Sequence, residues 1–149
     1  GGGGGGGGNV DDADVDELLG GGGGDDDDNV GDEVKLVLVV RTDLKMGVGK
    51  IASQCSHATL DVYRHVAQLP THATALAQWC SEGEKTVTLA AHTEAQFEQL
   101  RAAAAAANLP HTVMRDAGRT QVDAGSRTVL AIFGLSSKVD TVTGSLKLL

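Results

Sequence analysis

Large aromatic side chains are nearly missing from this chain: Tyr63, Trp79, Phe97 and Phe133 are the only four. A base-stacking platform that reads single-stranded RNA needs several aromatics on neighbouring strands, so that mode of recognition is excluded. Val, Leu, Ile and Ala must build the core instead. No apolar run approaches the ~20 residues of a membrane-spanning helix. Cysteine is scarce as well. Cys55 and Cys80 show no CxxC spacing, which leaves two buried free thiols in a reducing compartment as the expected state. His57, His65, His72, His92 and His111 show no ligand spacing, so no metal site is expected.

Positive charge is absent from residues 1–34, which hold eleven acidic residues and no Lys or Arg. The net charge of −8 hides a split, because residues 35–149 keep nine acids and twelve bases and are net positive. Oligoglycine and oligoaspartate cannot bury enough apolar surface to offset their ordering entropy. Residues 1–34 therefore read as a disordered acidic tail, with Asp14 to Leu19 able to form only a transient turn. The remaining 115 residues, 35–149, suit one domain that buries about two-thirds of its unfolded surface. The chain begins at Gly1 rather than methionine, as expected if processing or cloning has removed an N-terminus. A targeting segment or anchor upstream is left open.

Within the domain, residues 35–41 form a β-branched run that reads as a central strand buried on both faces. A helix is predicted from Gly49 to Leu69, ended by Pro70, and a second from Thr71 to Ser81. Thr86 to Ala90 reads as a strand. Thr93-Glu94-Ala95-Gln96 is a capping box opening a third helix, which buries Phe97 and Leu100 and stops at Asn108 and Pro110. Thr112 to Arg115 and Thr128 to Phe133 are further strands, joined by the polar loop 116–126. Ser136 to Thr143 is a last short helix. Strands alternating with helices predict an α/β fold with helices covering both faces of a sheet.

The most informative stretch runs from Lys45 to Ala58. It joins a glycine-bearing turn to a helix on which Lys50, Gln54 and His57 share one stripe, since residues three and four apart stack along a helix. Val48, Ile51, Ala52, Cys55, Ala58, Thr59, Val62 and Val66 form the opposite, core-facing stripe. Gly47-Val48-Gly49-Lys50 is not a phosphate loop, because Leu44 and Ile51 stand where that motif needs glycine and a hydroxyl. No third glycine completes a dinucleotide fingerprint, and no GxSxG elbow is present.

Active sites in open α/β sheets gather at the carboxyl ends of strands. The first strand delivers Lys50 to such an end and the third delivers Asp116 and Thr120. If those strands are parallel near neighbours, Lys50, His57, Asp116 and Thr120 converge. A carboxylate can then orient water, a lysine can stabilise an oxyanion, and hydroxyls can position substrate. Each residue also has a bland reading. Asp116 before Ala-Gly suits a turn, Lys50 a solvated charge, His57 a structural imidazole, and Thr128 simple strand propensity. Arg41, Lys45, Lys50, Arg115, Arg119 and Arg127 flank the same loops, either as a phosphate-tracking patch or as scattered solubilising charge.

Taken together these residues resemble the type 2 peptidyl-tRNA hydrolases of archaea and eukaryotes. Three segments carry the likeness: Lys35 to Arg41 running into Asp43 to Ala58, Asp116 to Gln121 continuing through Gly125 to Leu130, and Val142 to Leu149. The resemblance covers 35–149 in order. It implies one three-layer α/β/α domain with a mixed four-stranded sheet, hydrolysing the ester between a peptide and the 3′ end of tRNA without metal or organic cofactor. It maps the family's lysine onto Lys50, its aspartate onto Asp116 and its threonines onto Thr120 and Thr128. The motif histidine and glutamine fall on His57 and Gln54, and Arg41, Lys45, Arg115, Arg119 and Arg127 become a tRNA surface. Family members usually carry Gly-Pro after the last strand, whereas this chain reads Ile132-Phe133-Gly134-Leu135. The partner implied is peptidyl-tRNA and not DNA, in the cytoplasm with mitochondrial association open, and a homodimer is left open. Eukaryotic proteins of this kind also act as signalling adaptors in cell survival, a non-catalytic alternative in which the acidic tail would dock.

Overall fold

The structure, a computed structural model, describes residues 32–118, 123 and 125–149. Four strands, β1 (Val34–Arg41), β2 (Thr86–Ala91), β3 (His111–Arg115) and β4 (Arg127–Leu135), form one sheet in the order β2-β1-β4-β3. β1 runs parallel to β2, and β4 is antiparallel to both β1 and β3, so the sheet is mixed. The helices are α1 (Val48–Ala67), α2 (Ala73–Ser81), α3 (Glu94–Ala106) and α4 (Ser136–Thr143), with a 3-10 turn at Pro70–His72.

Alternation along β1 and β4 divides the core into two layers, because successive side chains point to opposite faces. Leu36, Leu38 and Val40 with Val129, Ala131 and Phe133 meet Ala58, Val62 and Val66 of α1 and Trp79 of α2. Val37, Val39, Leu130 and Ile132 meet Phe97, Leu100 and Ala104 of α3 and Val139 of α4. The fold is the expected three-layer α/β/α domain, and β1 and β4, buried except at Lys35 and Arg127, are its inner strands.

Several boundaries move. The predicted domain opens at Lys35, but Val34 already belongs to β1 and is buried. Asp32 accepts hydrogen bonds from the Ser137 amide (3.1 Å) and hydroxyl (2.9 Å), and Glu33 O accepts from the Ser136 amide at 2.7 Å. The last acids of the presumed tail thus cap α4, whose first turn otherwise leaves unsatisfied donors. The tail prediction for residues 1–31 lies outside the described residues. The last strand continues past Phe133 to Leu135, with Gly134 beneath Leu109: a Cβ there would lie 2.6 Å from the Leu109 Cδ2 atom. Half of the capping box forms: Thr93 Oγ1 accepts from the Gln96 amide at 3.0 Å, but Gln96 Oε1 accepts from the His92 amide at 2.7 Å, one residue before the N-cap.

Candidate active site

The site begins where the inward stripe of α1 changes from apolar to polar. Lys50, Gln54, Ala58, Val62 and Val66 are spaced by four and form one row facing the sheet. Gln54 is only 6 % exposed and Val48 is 87 % exposed. This corrects the two-sided picture of the helix: Lys50 and Gln54 do not oppose the core stripe but continue it. The cause is what lies beneath. The C-terminal turns of α1 cover apolar sheet, whereas its first two turns cover the carboxyl end of β3 and the start of β4, where polar groups await partners. His57, off this row, is exposed.

β3 supplies the acid. Thr112, Met114 and Asp116 alternate toward the α1 side, and Asp116 follows directly after the strand. Its backbone is pinned on both sides, its amide donating to Ser126 O at 2.9 Å and its carbonyl accepting from the Gly125 amide at 2.8 Å. Lys50 Nζ donates to Asp116 Oδ1. Side-chain exposure is 10 % for Lys50 and 1 % for Asp116. The Lys50 ammonium holds the Asp116 carboxyl below its ordinary range; the Gly118 and Ala117 amides act in the same direction, and burial opposes them. Asp116 Oδ2 is buried and has no hydrogen-bond partner of good geometry among the described residues.

Thr128 lies between the two contributing strands. β1 and β3 are parallel but not adjacent, because β4 separates them, so the amino end of β4 shares their carboxyl edge. Met114 pairs with Val129 and Arg115 with Arg127, which leaves Thr128 as the extra residue of a β-bulge. Thr128 is fully buried; its Oγ1 donates to Gln54 Oε1 at 2.6 Å and also lies 3.2 Å from Met114 O. A cation paired with a carboxylate, beside an amide and a hydroxyl, can polarise a carbonyl, orient a water and support a tetrahedral oxyanion.

Two predicted tRNA-facing arginines are occupied elsewhere. Arg41 is 7 % exposed and its guanidinium donates to Asp43 at 3.1 and 2.6 Å and to Arg127 O at 3.3 Å. Arg127 meets Glu98 (2.5 Å) and Glu94 (3.3 Å) of α3 and stacks over Phe97 at 5.3 Å. Sequence spacing offered no sign of the Arg127–Glu98 pair, since the partners lie 29 residues apart. Lys45 and Arg115 are exposed as expected, and Arg115 Nη1 donates to Gly125 O at 3.0 Å. Thr120 and Arg119 lie outside the described residues. Cys80 is exposed and Cys55 half-buried, contrary to the expectation of two buried thiols, and burial pushes the Cys55 thiol up. Among the described residues no three His, Cys, Asp or Glu side chains cluster as metal ligands, and no helix is long and apolar enough to cross a membrane.

Comparison with known proteins converges on one family. A family model described as Peptidyl-tRNA hydrolase PTH2 matches residues 34–149. The chain is 45 % identical over 115 residues to "Probable peptidyl-tRNA hydrolase 2" of Caenorhabditis elegans, covering 77 % of this chain and 36 % of that protein. It is 44 % identical over 117 residues to "Peptidyl-tRNA hydrolase 2, mitochondrial" of Mus musculus, covering 78 % and 64 %. Identity to the "Peptidyl-tRNA hydrolase" of Methanococcus maripaludis is 38 % over 113 residues, covering 75 % and 96 %. The chain thus spans well under two-thirds of the nematode protein and nearly all of the archaeal one.

Proposed function

The chain belongs to the peptidyl-tRNA hydrolase PTH2 family, and from that premise we propose that it hydrolyses the ester joining a peptide to tRNA. The observation that carries the reading is the buried Lys50–Asp116 pair beside the Thr128–Gln54 hydrogen bond. A carboxylate held below its ordinary range is a weak base, so Asp116 orients the attacking water rather than fully deprotonating it. Lys50 sits in the first turn of α1, where the helix dipole adds to its own charge. It faces the oxygen on which negative charge develops. Thr128, steered by Gln54, holds the ester or the water, and Thr120 is proposed to share that work. His57, exposed at the rim, is an auxiliary polar contact.

The ester is activated, so positioning and electrostatic stabilisation suffice and no metal or organic cofactor is invoked. Lys45 and Arg115, with Arg119, are proposed to meet tRNA phosphates; Arg41 and Arg127 leave that surface because their charges are already matched. The cytoplasm is the proposed compartment, and the name of the mouse relative supports mitochondrial association. The adaptor role is not favoured, since docking alone gives no reason to bury a Lys–Asp pair. The test is release of peptide from N-blocked aminoacyl-tRNA by the purified chain. Turnover with and without EDTA is expected; an inert protein, or one that chelation silences, overturns the reading.

A further inference from the structure

The bulge in β4 swaps the faces of two consecutive residues. Val129, Ala131 and Phe133 face α1, while Leu130 and Ile132 face α3. Unbroken alternation would send Thr128 toward α3 and Arg127 toward α1. The opposite is found. Thr128 bonds Gln54 of α1, and Arg127 lies on the α3 side over Phe97, against Glu98 and Glu94. A bulge leaves one residue unpaired, so the ladder alone does not decide which way that residue turns.

Something outside the ladder must set the phase, and the α3 side holds a candidate in Glu98, which is bonded through both carboxylate oxygens. Glu98 is fixed by a two-point bond from Arg101, at 2.8 and 2.6 Å, and offers Oε2 to Arg127. The Arg127 carbonyl is gripped separately by Arg41, itself held by Asp43. We infer that the Glu98–Arg127 clamp is a positioning device: by holding Arg127 on the α3 face it forces Thr128 onto the α1 face, beside Gln54 and the Lys50–Asp116 pair. Arg127 then acts through Thr128, without touching substrate. The inference rests on the proposed role of Thr128 for its kinetic consequence, though not for its structural one.

Kinetics and structure test it separately. Arg127→Ala is expected to lower kcat by about tenfold or more, as small misplacements of reacting groups do, with KM for peptidyl-tRNA little changed. Glu98→Gln, a mild surface change that keeps the fold, should lower kcat in the same direction. If Arg127 met phosphates directly, freeing it from Glu98 would instead lower KM and leave kcat alone, which overturns the inference. In the Thr128→Val background Arg127→Ala should cost almost nothing further, because residues acting as one unit are non-additive; full additivity overturns it. Independently of activity, a crystal structure of Arg127→Ala should show Thr128 released from Gln54. A Thr128–Gln54 contact unchanged at 2.6 Å would sink the proposal even in a fully active enzyme, and its loss in an inert one would leave only the functional reading at fault.

Discussion

On the α1 face of the sheet, Lys50 and Asp116 meet with their side chains almost sealed from water; on the α3 face, Arg127 and Glu98 meet with Glu98 nearly half exposed. Both pairs sit at the same strand ends, yet burial gives them different work. A charge pair removed from water interacts strongly and cannot lose one member cheaply, whereas an exposed pair is screened and weak. The buried pair therefore suits chemistry. The half-exposed one, in which Arg127 is itself largely buried over Phe97 and its carbonyl is held by Arg41, suits holding a strand in phase through several modest contacts acting together. Reading both as undifferentiated basic surface, as charge counting does, misses that distinction.

The largest effect expected is on the buried side. Asp116→Ala should lower kcat/KM by roughly 10²–10⁴-fold in a peptidyl-tRNA cleavage assay, and Lys50→Ala comparably, as loss of a positioned electrostatic group does. Lys50→Ala should also lower the urea midpoint, since it strands a buried carboxylate, whereas Glu98→Gln should barely move it. If the two variants were equally stable, the contrast between the faces would collapse. Next comes Thr128→Val, which leaves Gln54 Oε1 buried without its donor. A loss of about 1–3 kcal/mol in unfolding free energy is expected by denaturant titration, with a smaller fall in kcat/KM than for Asp116→Ala.

Smaller still is the effect of the N-terminal segment. Deleting residues 1–31 should leave Tm unchanged, because a segment dominated by glycine and aspartate has few apolar side chains to pack. Deleting 1–33 removes the Asp32 cap of α4 and should cost about 0.5–2 kcal/mol, the usual worth of a cap. Equal melting curves for the two truncations would show that the cap is idle. The smallest effect concerns pH. Asp116 is depressed in the folded state, so its contribution is complete above the ordinary carboxylate range and is lost only as pH falls through the lower folded value. Glu98 is also lowered, by Arg101 and Arg127, but its exposure screens that pairing, so its share of the pH dependence is small. Stability and kcat/KM should therefore show no carboxylate-driven step between about pH 8 and pH 5. A step there would mean that Asp116 is not paired as described.

Much of this molecule was legible in order along the chain. The β-branched run at 35–41 could only be an inner strand, and the Thr93 capping box and Pro70 punctuated the helices where local chemistry required. Lys50, Gln54, Asp116 and Thr128 were identifiable by resemblance, and Lys50 and Asp116 also by their place after strands. Their mutual relation was not legible. Helical periodicity sorts residues by polarity, so it assigned Lys50 and Gln54 to a stripe opposite the core, although a polar stripe is equally at home over a polar patch of its own protein. Arg127 looked like a free cation because Glu98, 29 residues away, becomes its partner only after the sheet assembles, whereas Asp43 stands two residues from Arg41 and that pair is local.

The sequence by itself determined the elements, their order and the inventory of reactive groups, because propensity, capping and alternation are local properties of the chain. Only the tertiary structure decided that β4 would run between β1 and β3 and that a bulge would turn Thr128 toward α1. It also decided that Lys50 would reach Asp116 across 66 positions of sequence. Those outcomes depend on which faces are buried against which, and burial is settled by packing the whole domain at once.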